Sequence, residues 1–126
     1  MIGFGLPRPD SFYLTVLTPV NVASMTLSLP LAEDLGTRLS DGSRAAEYRM
    51  GRIDPYVGVD EKIVLDFTGV RNANSSFVNA LITGTLEQHG EAVLSKMTFK
   101  GCTPAIQVLV EAAIYLGLSK TENRVL

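Results

Sequence analysis

One cysteine and one histidine in 126 residues leave little material for metal or redox chemistry. With Cys102 alone, an internal disulfide and any multi-cysteine zinc site are excluded, and a reducing compartment is the natural setting. His89 has no second histidine to work with, and H-E-x-x-H, C-x-x-C and calcium-loop patterns are all missing, so no metal is expected. Neither a G-x-S-x-G elbow nor a phosphate loop of either common kind occurs, so a hydrolase triad and nucleotide chemistry both lack their framework. The expectation is a protein without cofactor that is not an enzyme.

Charge of one sign is also lacking. Eleven basic residues stand against thirteen acidic ones, and a net charge of −2 gives no electrostatic footprint for nucleic acid or an anionic membrane. No run nears the roughly 18 apolar residues of a membrane span, and no basic segment followed by an apolar one opens the sequence. A cytoplasmic location follows as the expectation, and on it the Asn74-Ser75-Ser76 glycosylation sequon is a coincidence.

What is present is 46% hydrophobic and 19% charged, the balance of one folded domain. Residues 1–11 carry Gly3, Gly5, Pro7 and Pro9 without periodicity and are expected to form a flexible arm, with the domain over 12–118 and a tail at 119–126. Phe12 to Thr18 and Ala23 to Leu29 predict two strands forming a hairpin, the second closed by Pro30. After a connector over Leu31 to Arg38, Ser40 or Asp41 caps a helix with Ala45, Ala46, Tyr48, Arg49, Met50 and Ile53 at helical spacing, stopped by Asp54-Pro55. Ile63-Val64-Leu65 is a continuous apolar run, as in a strand buried on both faces.

Beyond Asp66, Ser75 or Ser76 is expected to cap a helix with Phe77, Ala80, Leu81, Gly84 and Thr85 inward, ending at His89-Gly90 with the histidine exposed beside the helix terminus. Leu94 to Lys100 reads as a further strand. Thr103-Pro104 opens a last helix with Ile106, Leu109, Val110, Ala113 and Leu116 inward, running to Gly117. Cys102, in the turn before that helix, reads as a half-buried packing residue rather than a reactive thiol. The element order predicts an α/β fold, a mixed sheet of about four strands with about three helices packed on it. The edge of the first hairpin could pair two copies into a homodimer.

The stretch from Leu65 to Leu81 delivers two serines from a strand to a helix N-terminus, where free N–H groups and the helix dipole tolerate added phosphate. This stretch resembles the STAS domains of anti-sigma factor antagonists, in which a strand ending in aspartate is followed by Asp-Ser-Ser/Thr-Gly at the start of a helix. Counted from Asp66, Asn74 takes the place of the second aspartate, Ser76 that of the phosphoacceptor, with Ser75 before it, and Phe77 that of the glycine. The pattern LDF-x-GV followed by SSF, with Leu35-Gly36-Thr37-Arg38 upstream, looks still more like the bacterial STAS-like family of unknown function, over about Leu31 to Leu116.

The resemblance implies a signalling module that docks on a partner, in the best-known relatives a GHKL-type kinase that phosphorylates the serine and so releases the complex. On that reading Arg71, Asn72, Asn74, Ser75, Ser76, Phe77 and Asn79, with Arg38 alongside, form the docking face, and Ser76 or Ser75 accepts phosphate. Asn79 stands where the STAS-like group often has an acid. The alternative is a sensor for an anion or nucleotide held between the helix starts at Ser75 and Thr103.

Overall fold

In the computed structural model, residues 25–125 are described, with side chains over 25–121. The arm at 1–11, the strand expected over 12–18 and the first residues of the second expected strand lie outside the described residues.

Three short strands form a parallel sheet: β1 (Thr26–Pro30), β3 (Lys62–Asp66) and β5 (Met97–Lys100), with β3 in the centre. A second, two-stranded parallel pair joins β2 (Arg38–Leu39) to β4 (Asn72–Ala73). The chain is therefore α/β as expected, and all strand pairs among the described residues are parallel. The mixed direction rested on the hairpin, whose first strand lies outside the described residues.

Alternation decides which face is covered. Leu29, Ile63, Leu65 and Met97 point to the core, whereas Ser28, Val64 and Thr98 lie in one row on the opposite face. The apolar run of β3 is thus buried on one face only, and Val64 is partly exposed between two hydroxyl side chains.

Helix α1 (Leu31–Leu35) and β2 occupy the stretch expected to be a plain connector, because Leu31 turns fully into the core. Asp34 of α1 accepts hydrogen bonds from the Tyr48 hydroxyl at 2.6 Å and from Arg52 at 3.1 Å, which ties it to α2 (Gly42–Arg52). In α2 the buried residues are Ala45 and Tyr48; Met50 is exposed, contrary to its place in the expected stripe. Asp41 is the cap, accepting from the Ser43 and Arg44 amides at 2.9 and 3.4 Å.

From Ser75 to His89 the chain is helical throughout: α3 (Ser75–Val78), a π-helical turn (Asn79–Thr83) and α4 (Gly84–His89). The π turn inserts a residue into the helical phase, so Phe77, Val78, Leu81, Ile82 and Leu86 are all buried, a wider face than one straight stripe provides. Its polar members are satisfied internally: Thr83 Oγ1 donates to the Ala113 carbonyl at 2.8 Å and Thr85 Oγ1 to the Leu81 carbonyl at 2.6 Å. Gly90, at φ 86°, ends the helix as expected.

Residues Glu91–Lys96 form a 3-10 segment, so β5 is shorter than the strand expected from Leu94. Lys96 is held out of the strand by donating to the carbonyls of Val57 and Asp60, at 2.5 and 3.1 Å. Helix α5 (Pro104–Val125) starts at the expected Thr103-Pro104, with the Ile106 amide donating to Thr103 Oγ1 at 3.3 Å. It does not stop at Gly117. That glycine faces the core where α5 crosses α4, and a Cβ there would lie 2.9 Å from Leu86 Cβ, while Leu116 points outward. Close approach, not chain termination, explains this glycine.

Gly101 closes β5 at φ 72°, and a Cβ on it would stand 2.7 Å from the Thr68 backbone nitrogen. Gly101→Ala is therefore expected to cost on the order of 1–3 kcal/mol, read as a lower urea midpoint with an unchanged m-value.

Candidate functional site

Two helix starts and one strand pair meet at a single face. Parallel pairing sets Arg38 beside Asn72 and Leu39 beside Ala73. The Thr37 carbonyl accepts from the amides of both Arg71 and Asn72, at 2.8 and 3.2 Å, and the Leu39 carbonyl accepts from the Asn74 amide at 3.0 Å. This ladder carries the residues before α2 alongside those before α3. A shallow cavity of about 210 Å³ opens there, lined by Arg38, Leu39, Ser40, Asn72, Ala73 and Asn74.

Asn74 is the hinge pin of the arrangement. Its side-chain oxygen accepts from the Phe77 amide at 2.9 Å, which caps α3, and its side-chain nitrogen donates to the Ser40 carbonyl at 3.0 Å. The cap is thus Asn74 and not, as expected, Ser75 or Ser76. The asparagine sits in the extended conformation of an N-cap at φ −119°, and the two serines already belong to the first helical turn. Freed from capping, both serines are exposed. A Cβ on Gly42 would lie 2.8 Å from Ser76 Oγ and 3.2 Å from the Ser76 carbonyl oxygen, so the first residue of α2 lies directly against the second of α3.

Of the residues assigned to this face from the sequence, Arg38, Asn72 and Asn74 share the cavity, and Arg71, Ser75 and Ser76 are exposed beside it. Phe77 faces inward, as its place in the helical pattern predicts, and so does not belong to the exposed face to which the resemblance also assigned it. It is 1% exposed and belongs to the core cluster, its backbone amide being the one that Asn74 caps. Asn79 is half-buried at the start of the π turn. Sequence reasoning overlooked Ser40 and Gly42; the D-G-S sequence after Ser40 marks a helix start, but nothing local says that a second helix start abuts it. The arginines Arg38, Arg44 and Arg71 are exposed and enter no ion pair among the described residues.

Asp66 ends the central strand near this face. It accepts from the Thr68 amide at 2.9 Å and lies 3.8 Å from Lys100 Nζ. Hydrogen bonds from the Thr68 hydroxyl and amide, aided by the Lys100 charge, hold its carboxyl below the usual carboxylate range. Two other singled-out side chains serve elsewhere. His89, expected exposed, is 18% exposed, with Nε2 2.7 Å from Asp54 Oδ1, whose other oxygen accepts from Arg49 at 2.6 Å. Cys102 is half-buried as expected, and burial pushes its thiol up, the opposite of activation. Among the described residues no three histidine, cysteine or acidic side chains are placed to hold a metal, and no helix is long and apolar enough to cross a membrane.

The asparagine-capped helix start behind a strand ending in aspartate lies inside a recognisable stretch. Residues 50–107 match the family model of the STAS-like domain of unknown function (DUF4325). Over this stretch the chain is similar to a STAS-like domain. The match takes in β3, β4 and the serine-bearing helix; Arg38, Ser40 and Gly42 precede it. No curated protein and no solved structure matches the chain.

Two predictions test the local chemistry. Asn74→Ala removes a cap and a cross-tie together and is expected to cost about 1–2 kcal/mol, whereas Ser75→Ala and Ser76→Ala stay within about 0.5 kcal/mol, all by chemical denaturation. The depressed Asp66 carboxyl contributes stability that is complete above its unfolded-state pKa and is lost as pH falls through the folded value. Thr68→Val is expected to move the Asp66 midpoint upward in a carboxyl-carbon NMR titration.

Proposed function

We propose that this STAS-like domain is a regulatory protein-interaction module that docks through the face formed by Arg38, Arg71, Asn72, Asn74, Ser75 and Ser76. The observation that carries the reading is the cap at Asn74. By taking over the structural task, it leaves two exposed serine hydroxyls on the first turn of a helix. The exposed Arg38 and Arg71 belong to the same face and enter no ion pair among the described residues, which suits charged recognition by another protein.

Phosphorylation of Ser76 is the switch this placement supports. A phosphate there would add about −1.5 to −2 charge at pH 7 to a helix start and beside Gly42, where a neighbouring side chain would otherwise crowd the hydroxyl. A kinase-like ATP-binding protein is the partner class we propose, and the reading assigns the domain no catalysis of its own and a place in the cytoplasm. Its cavity is shallow, and the described residues lining it include one cation and no acid, which favours recognition over acid–base chemistry.

The test is affinity capture from lysate with the wild-type chain and with an Arg38→Glu/Arg71→Glu/Ser76→Glu variant, followed by phosphosite mapping. Wild type is expected to retain a protein that the variant releases, with circular dichroism of the two unchanged. Identical captures from both chains would count against this face.

A further inference from the structure

A second surface, sharing no residue with the cavity around Arg38, lies at the other side of the sheet. Strand β5 is an edge of the three-stranded sheet, paired with β3 alone among the described residues. The Lys100 carbonyl accepts from the Phe67 amide at 2.7 Å, which turns the backbone of Lys100 toward β3. Strand alternation then turns the backbone N–H and carbonyl of Phe99 outward, to the open edge.

Beside that edge runs a groove of about 490 Å³, lined by Phe99, Gly101 and Cys102 from the strand end and by Gln107, Val110, Glu111 and Ile114 from α5. The helical spacing 107, 110, 111, 114 makes one face of α5 a continuous wall. Phe99, Cys102, Val110 and Ile114 supply an apolar floor, part of it already packed on the core. Gln107 and Glu111 are exposed, with Gln107 Nε2 donating to Glu111 Oε2 at 3.3 Å, so among the described residues the sole charged lining group is a carboxylate. An open strand edge flanked by an apolar groove and a helix is the geometry in which an extended peptide adds as a further strand and seats alternate side chains beside the helix.

We propose that this groove receives an extended peptide segment of another protein by strand addition to β5. The incoming strand bonds to the outward backbone of Phe99. One aliphatic side chain lies against Phe99, Val110 and Ile114, and a lysine or arginine two residues away, on the same face of the added strand, meets Glu111. The negative rim chooses the sign of the partner: a basic segment is drawn in and an acidic one repelled. Since β5 is four residues long, the contact is short, and the affinity is that of a transient interaction.

Cys102 lines the groove and is the one cysteine of the chain, so it reports occupancy without any engineered label. The full chain is titrated with three acetylated heptapeptides: one alternating threonine with valine, lysine and valine, so that valine and lysine share a face, one with glutamate in place of lysine, and the lysine peptide with proline at both residues flanking the lysine. Saturating lysine peptide is expected to slow modification of Cys102 by a disulfide reagent and to shift the Phe99 and Gly101 amide signals. Proline, which cannot complete the ladder, and glutamate abolish both effects. Glu111→Lys, an exposed change that leaves the fold alone, weakens the lysine peptide by about two- to fivefold and improves the glutamate one. Equal binding of the proline and lysine peptides, no protection of Cys102 by any of them, or a stable dimer that already buries Cys102 would each overturn the proposal.

Discussion

Asn74 holds two helix starts at one place. Its two side-chain atoms face different elements, one oxygen on the amide of its own helix and one nitrogen on the carbonyl that precedes α2. A carboxylate could cap the helix as well but would offer nothing to the Ser40 carbonyl, and an alanine would do neither. The short β2–β4 ladder fixes the approach of these two chain segments to within a residue, and Gly42 lets them touch. The exposure of Ser75 and Ser76, and with it the proposed docking face, depends on that single amide group standing where it does.

The rest of the fold explains why so small a polar device is stable. One core runs under the helices, from Leu29 and Leu31 through Ile63, Leu65 and Phe67 to Leu81, Leu86, Val110 and Ala113. The outer face of the sheet is left to Ser28, Val64 and Thr98. This two-layer arrangement leaves the β5 edge and its groove on one side, and the arginine-bearing face above the carboxyl end of the sheet on another. The two surfaces present opposite charge, arginine at one and Glu111 at the other, so a chain of nearly balanced net charge is still polarised locally.

Much of this was legible in the residues. The strand at Ile63–Leu65, the helix opened by Thr103-Pro104, the Asp41 cap and the glycine stop at Gly90 each carried a local signature, and the α/β class followed from their order. Arg38 was placed beside the Asn72–Asn74 stretch through resemblance, and the β2–β4 pairing supplies the physical reason. Features that depend on distant neighbours were not legible. Gly117 looks like a helix end until Leu86 is seen against it, and the π turn is invisible to a rule that assumes one helical period. Ser75 and Ser76 looked like caps because serine is a good cap; Asn74, one residue earlier, was better placed and won the position.

The strand registers carry a last consequence, for how the chain assembles. Leu27 meets Ile63, and Ile63 meets Met97, so among the described strands no two neighbours in the sheet are close in sequence. Neither pair can form by zipping from a tight turn; each must close a long stretch of chain before its first hydrogen bond repays the lost entropy. The helices between the strands shorten those closures by compacting the intervening residues. The entropic cost of bringing distant residues together is therefore concentrated in the sheet, while the helices close their hydrogen bonds between near neighbours.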